Sequence, residues 1–443
     1  MDDERVVDEI VTKFLLNTCR LRPQLSRPAV MAVMHCAALA TAHQVDDEEV
    51  DLIPLTTGSV AEFYIEPMLP HVGDIDVMYH LSTDLAIPRG HPPPTQLPDE
   101  FHNYVRVCEI IDSHLPGYVY LELRYLLTEC VNDGKYNAVE YDRKMYALNR
   151  FIVTGAIGTV HGPAQVIPQR KGLLSCDDVP SARCLVWPPQ ASDWPTRHRN
   201  YGWPDSATVD RVVNNGCDVV GVAHRQCRQH EWMGKHQYRL SFSRAEIVLL
   251  NSWMPVQQIV YHMLRVFMKT ERLTESADNS EAGTLSNYHI KTLMLWACEQ
   301  KPRIWWTDDF SLVRICVELL HDLAVWLTEA RCPHYFISNC NLVDNSFNLV
   351  MIQSRLISIS KSWLSSWFVN NYIRRCSQLC PHNVSRLFDD VSTTTKLQNA
   401  VSAIVDWRLN DTRYDMMDVH CSAQYHIIPV VSEVSLTVRT LVI

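Results

Sequence analysis

Between Leu52 and Tyr79 the chain reads LIPLTTGSVAEFYIEPMLPHVGDIDVMY, and this stretch restricts the fold more than any other. Asp74 and Asp76 lie two apart inside a run that otherwise reads as strand (Val72, Ile75, Val77, Met78). Side chains alternate across an extended backbone, so both carboxylates fall on one face of a sheet, where they can trap a cation. Upstream, Thr57-Gly58-Ser59 sits where an apolar segment (Leu52, Ile53, Leu55) turns into a short helical segment, Val60 to Tyr64. Backbone N–H groups at such a turn cradle phosphate, and a glycine lets the ligand approach closely. Asp-x-Asp or Gly-Ser alone is common in solvated loops and strand edges. In this order and at this distance they point to nucleotide chemistry with a divalent ion.

At 443 residues the chain exceeds one average domain, so two lobes or domains are expected, and 47% hydrophobic residues suffice for large cores. The formal net charge of -10 argues against a protein that coats nucleic acid everywhere, leaving room for a local basic face. The start, MDDERVVDEI, has no apolar signal region, and the most apolar stretch, Ala29 to Ala42, is broken by His35 and too short for a bilayer. A soluble, cytoplasmic protein with no membrane partner is expected. Fifteen Cys without regular spacing read as reduced thiols.

Residues 4 to 43 carry apolar positions at helical spacing, interrupted by Pro23 and Pro28, and predict a long, broken helix along the back of a domain. Lys13, Arg20, Arg22 and Arg27 cluster near the break, either as a solvated face or as a nucleic-acid contact. Pro88 to Pro98 predicts a stiff surface loop, Val105 to Ile111 and Tyr118 to Cys130 a helix and a mixed segment, and Lys135 to Phe151 a connecting helix and strand. From Leu173 a strand carrying Asp177 and Asp178 should end at Pro180. Adjacent residues face opposite sides, so only one of that Asp pair can join a cation site. Trp187, Trp194 and Trp203, each before a proline, read as packed loop anchors.

From Ser243 the pattern is helical. Ser243-Arg244-Ala245-Glu246 reads as a capping box, and further helices are predicted over Val256 to Glu271, Asn287 to Gln300, Phe310 to Arg331 and Leu356 to Cys376. A polar loop lies between Leu273 and Leu285, and His426 to Ile443 reads as a strand or extended arm. Cys217, His224, Cys227, His230 and His236 lack a close Cys pair, so buried thiols and surface imidazoles outweigh zinc there, as they do at Cys376, Cys380 and His382.

Several blocks recur in one order: Gly58-Ser59, Asp74-Ile75-Asp76-Val77-Met78, Asp177-Asp178-Val179-Pro180, Arg183-Cys184 with Trp187-Pro188-Pro189-Gln190-Ala191, Tyr238-Arg239-Leu240-Ser241-Phe242-Ser243, and Tyr288-His289-Ile290-Lys291-Thr292. That order resembles the Mab-twenty-one family of nucleotidyltransferases, which includes cyclic GMP-AMP synthase and the cGAS-like receptors. The resemblance implies an α+β, bilobal nucleotidyltransferase fold. Residues 1–240 would form a lobe built on a twisted mixed sheet with a long N-terminal spine helix, and residues 241–443 a helical C-terminal lobe with an extension. It also implies that two NTPs are joined stepwise into a cyclic dinucleotide read by a STING-type receptor. Asp74, Asp76 and Asp177 would hold Mg2+ or Mn2+, and Gly58 and Ser59 the phosphates. Lys291 would contact phosphate, Arg239 a base, and Tyr335 would stack on a base.

Cyclic GMP-AMP synthase carries a His and Cys zinc thumb just before the Tyr-His-x-Lys-Thr helix. Here Asn251 to Asn287 has no Cys and only His262, so no structural zinc is expected. Its absence leans the trigger from double-stranded DNA to double-stranded RNA, read through shape and phosphates. Lys13, Arg20, Arg22, Arg27, Lys269 and Arg272 are the candidate face, with oligomerisation on the ligand left open. The alternatives are a DNA-activated synthase, a catalytically silent developmental scaffold, and a constitutive enzyme acting on RNA ends.

Overall fold

The computed structural model describes residues 11, 21–22, 52–57, 64–65, 75–149, 159–161, 164–167, 176–273, 285–307, 311–343 and 349–373. Within them the architecture is α+β. A ten-stranded sheet is built around one long strand, Ile75–Pro88. The first half of that strand pairs antiparallel with Leu52–Thr57 and its second half pairs parallel with Tyr104–Asp112. Its other edge pairs parallel with Cys176–Cys184. Leu52–Thr57 is an edge strand, which is where Pro54 can be accommodated.

From Tyr104–Asp112 the sheet continues antiparallel through Tyr118–Glu129, Gln237–Ser241 and Cys217–Val220 to Cys176–Cys184, and so returns to Ile75–Pro88. The strands form a closed ring, with Tyr136–Tyr146 added outside it on Tyr118–Glu129.

Several expectations are corrected here. Val105 to Ile111 is strand and not helix: buried Val105 and Val107 alternate with exposed Tyr104 and Arg106, a period of two. Tyr118–Glu129 and Tyr136–Tyr146 are also strands, joined by a short turn. The Cys176–Cys184 strand does not end at Pro180 but runs through it. The Ser181 hydroxyl donates to the Tyr79 carbonyl (3.1 Å) beside the missing proline N–H, and the register shifts between Ser181 and Arg183.

Of the expected N-terminal helix, Val11 is helical and buried in the main core. Leu21–Arg22 is instead extended and pairs with Tyr64–Ile65. Arg22 precedes Pro23, which disfavours the helical region at that residue. Tyr64, expected at the end of a short helix, is strand as well.

The helical part begins at Ser243. Among the described residues its α-helices are Ser243–Asn251, Pro255–Thr270, Asn287–Gln300, the short Arg303–Thr307, Leu312–Thr328, Leu349–Ile357 and Lys361–Phe368. The expected capping box at Ser243 is not formed, because Phe242 is the N-cap and Glu246 is used elsewhere. The helix expected over Leu356 to Cys376 is split: the chain breaks after Ile357, Ser360 caps the next helix by accepting from Trp363 N–H (3.2 Å), and a π turn follows at Val369–Ile373. One apolar cluster joins both parts, with Val119, Val219 and Leu240 of the sheet packed with Leu249, Leu264, Leu293 and Leu319 of the helices. Among the described residues no helix is long and apolar enough to cross a membrane.

Candidate active site

The sheet register sets Asp76 and Asp177 as direct partners on adjacent parallel strands. Adjacent strands lie about 4.8 Å apart, and partnered residues project to the same face. Asp178, the next residue, belongs to the opposite face, so Asp177 is the member of its pair that accompanies Asp76. On the other flank Thr57 is paired with Asp76, and its hydroxyl donates to the Asp76 carbonyl (3.4 Å). Both Asp residues are partly exposed. Two residues along each strand, Met78 and Val179 join Leu55, Val220 and Val222 in an apolar floor. Asp74, Gly58 and Ser59 lie outside the described residues.

Two more residues along, register partners run in one row: His80, Ser181, Val220, Arg239, Tyr118. Because no register shift intervenes between Asp76 and His80, this row shares the face of the two carboxylates. The exposed Arg239 is therefore on the same face as Asp76 and Asp177, across the sheet.

Sequence reasoning missed two buried charges on the strands Cys217–Val220 and Cys176–Cys184. Asp218, fully buried, accepts from Arg244 Nε (2.8 Å). Arg183, also buried, donates to the carbonyls of Cys184 (2.6 Å), Cys217 (2.8 Å) and Asn215 (2.5 Å). Desolvation pushes its pKa down, opposed by the charge of Asp218. His80 is held below its ordinary value by burial. The signal available was Asp218 inside an otherwise apolar run, Cys217-Asp218-Val219-Val220: a charge in a strand buried at every position needs a partner.

Lys291, expected to contact phosphate, lies on Asn287–Gln300 and is 9% exposed. Its ammonium pairs with Glu246, itself 3% exposed, at 2.8 Å. Tyr335, expected to stack on a base, is 1% exposed. Its hydroxyl donates to Glu299 (2.7 Å), and the Arg197 guanidinium lies over its ring at 4.7 Å. Burial, with Glu299 adding to it, raises its pKa well above the ordinary phenol value. In this arrangement Tyr335 is a packed aromatic with no open ring face for a base. Trp194 packs beside it, and Trp187 packs on Trp194, Phe242 and Phe336, as expected of loop anchors.

Of the candidate nucleic-acid face, Lys269 and Arg272 are exposed at the end of Pro255–Thr270. Arg22 is in the Leu21–Arg22 strand, and Lys13, Arg20 and Arg27 lie outside the described residues. In the His-rich segment each imidazole serves the local backbone. His224 Nδ1 accepts from Gln226 N–H (3.3 Å), His230 Nδ1 accepts from Met233 N–H (3.2 Å), and His236 Nδ1 donates to Trp232 O (2.8 Å).

Comparison with known proteins agrees with this architecture. Residues 97–252 match the Mab-21 protein nucleotidyltransferase domain, and residues 257–354 match the Mab-21 protein HhH/H2TH-like domain. Asp177 and Arg239 fall in the first match, Lys291 and Tyr335 in the second, and Asp76 precedes both. A protein of Drosophila melanogaster named "Protein mab-21-like" is 26% identical over 163 residues, which is 36% of this chain and 42% of that relative. The chain thus spans less than half the length of this curated relative. With a sheet whose register pairs Asp76 and Asp177, and with both matched domains in sequence order, the chain belongs to the Mab-21 family and carries its nucleotidyltransferase domain.

Proposed function

We propose that this chain is a metal-dependent nucleotidyltransferase that joins two NTPs into a cyclic dinucleotide when double-stranded RNA binds, as part of innate immune signalling through a STING-type receptor. The observation that carries the reading is the register that sets Asp76 beside Asp177, with Thr57, the residue before Gly58 in sequence, on the outer flank. Carboxylate oxygens from two strands, partly exposed above an apolar floor, are the donor set that hard cations of the Mg2+ and Mn2+ class prefer. Bound there with Asp74, such ions would neutralise the triphosphate and lower the pKa of the attacking ribose hydroxyl. Asp76 and Asp177 fix where that charge sits. Arg239, on the same face and exposed, is in position to meet a base across the sheet.

The test is incubation of the purified protein with all four labelled NTPs and Mg2+, with duplex RNA, duplex DNA or nothing added. A phosphatase-resistant product made only with RNA supports the proposal. Product made only with DNA selects the DNA-activated alternative, and equal incorporation in every tube, with a linear product, removes the sensor role.

A second reading, a catalytically silent scaffold, draws on Lys291 and Tyr335. Both are turned inward onto carboxylates in this conformation. Absence of product in all tubes, together with no binding of NTP, selects it.

A further inference from the structure

The strand Cys176–Cys184 ends on a cysteine, the strand Cys217–Val220 begins on one, and the antiparallel register makes Cys184 and Cys217 direct partners. Partners in an antiparallel pair project to the same face with Cα atoms about 4.5–5.5 Å apart, inside the roughly 4.4–6.8 Å that a disulfide spans. Both thiols are free and fully buried, and a hydrogen bond joins one to the other. No other two cysteines are register partners among the described strands.

The two sulfurs are not equivalent. Cys184 Sγ donates to the Val186 carbonyl (3.2 Å), so the hydrogen between the two thiols comes from Cys217. That bond, with the Arg183 cation adding to it against desolvation, holds Cys184 below the ordinary thiol value, whereas the same bond and burial hold Cys217 well above it. The Arg183 guanidinium is fixed beside the pair because it donates to the carbonyls of both cysteines, at 2.6 and 2.8 Å. Cys184 is therefore the nucleophile and Cys217 the resolving thiol. Burial selects the oxidant. A bulky disulfide such as oxidised glutathione has no approach to either sulfur, but a water-sized peroxide gains one when a ladder end opens, and both residues are terminal in their strands.

We infer that Cys184 and Cys217 form a modification site, closed to a cross-strand disulfide by a small hydroperoxide such as hydrogen peroxide. The Cys184 thiolate attacks one peroxide oxygen: the S–O bond forms, the O–O bond breaks, and the departing hydroxide takes up the proton that Cys184 gave away. Cys217 Sγ then attacks Cys184 Sγ: the S–S bond forms, the S–O bond breaks, and the hydroxyl leaves with the Cys217 proton as water. Two thiols lose two electrons in all, and the peroxide becomes two waters. Nothing in these steps depends on bound nucleotide. The new bond fastens the strand that carries Asp177 to its neighbour in the ring.

The experiment is peptide mass spectrometry on the full chain, treated while folded with hydrogen peroxide or with oxidised glutathione, then unfolded with N-ethylmaleimide present and cut with trypsin. Cleavage after Arg183, Arg197, Arg211 and Arg225 puts Cys184 and Cys217 each alone in a peptide. Peroxide should give these two peptides joined, lighter than their sum by two hydrogens, and a dithiol should separate them. A pair still reduced at a dose that oxidises the half-buried Cys130 would overturn the inference, as would a link that forms only in urea, or equally well with oxidised glutathione. Cys217→Ser should leave Cys184 as a sulfenic acid that dimedone labels, whereas Cys184→Ser should leave Cys217 with less than about a tenth of that label. Equal labelling, or the reverse, would remove the assignment of nucleophile and resolving thiol.

Discussion

Removing Glu246 should expose how much of the helical part depends on one internal ion pair. The Lys291 and Glu246 side chains are 11% and 5% exposed and meet at 2.8 Å, with Glu246 on Ser243–Asn251 and Lys291 on Asn287–Gln300. Breaking a buried pair from one side typically costs about 3–5 kcal/mol, because the remaining charge loses its closest compensation. Lys291 keeps slightly more access to water than Glu246, so Glu246→Met is expected near the lower end, about 3 kcal/mol, and Lys291→Met about 4 kcal/mol. Replacing both with methionine removes two desolvated charges and fills similar volume, so the double variant should fall within about 1 kcal/mol of wild type. Urea unfolding of the four proteins, followed by tryptophan fluorescence, closes a double-mutant cycle. Single variants that each lose less than about 1 kcal/mol, with negligible coupling, would refute the reasoning. The pair would then be worth no more than a surface ion pair.

Other outcomes follow from the same geometry. Asp76→Asn and Asp177→Asn should each lower nucleotidyl transfer by about 100-fold or more, while stability stays within about 0.5 kcal/mol, since both residues are partly exposed; product assays and thermal melts check this. His262 and His334 are pushed by burial to about 3 and His289 to about 4, below the ordinary 6.5. Between pH 6.5 and 4 the unfolded chain binds protons that the folded chain refuses, so stability is greatest above 6.5 and falls on acidification. Each group contributes up to about 1.4 kcal/mol per pH unit, and a urea midpoint that stays flat from pH 7 to 5 would contradict the burial of these rings. Gly216 has φ +61°, and a Cβ there would collide with the Cys184 carbonyl oxygen, so Gly216→Ala should lose about 2–4 kcal/mol by denaturant titration.

The paired carboxylates were legible because strand periodicity and spacing are local properties. Asp76 could be assigned a face from its neighbours alone, and a strand around Asp177 followed from its apolar flanks. The helices from Ser243 onward were legible for the same reason, with Asn287–Gln300 read to the residue. The strands Tyr104–Asp112 and Tyr118–Glu129 were misread because each mixes apolar and charged residues without strict alternation. A strand inside a closed ring is covered on both faces over part of its length, so its burial pattern is irregular. The roles of Lys291 and Glu246 could not be read locally, since the residues are 45 apart and belong to different helices. A Ser-x-x-Glu pattern predicts a cap only when the glutamate has no stronger partner, and here the buried ammonium is the stronger partner. Tyr335 shows the same limit: an aromatic side chain specifies size and polarity, but its surroundings decide whether a face is open.

The pairing that makes the site is also the one that closes the sheet. Asp76 and Asp177 meet only where Ile75–Pro88 and Cys176–Cys184 run parallel, and a parallel pair cannot be formed by a hairpin; it needs a crossover through everything between. Here the rest of the ring, from Tyr104–Asp112 to Cys217–Val220, must assemble around those two strands, and its far side is packed by the helices through Val219, Leu240, Leu249 and Leu264. The carboxylates are partly exposed and contribute little to stability, yet their juxtaposition depends on the whole ring. Damage to the core far from Asp76 and Asp177 should therefore abolish the proposed metal affinity and folding together, whereas damage at Asp76 or Asp177 should separate them. That separation distinguishes a site carried by a folded scaffold from a site that needs its ligand to fold.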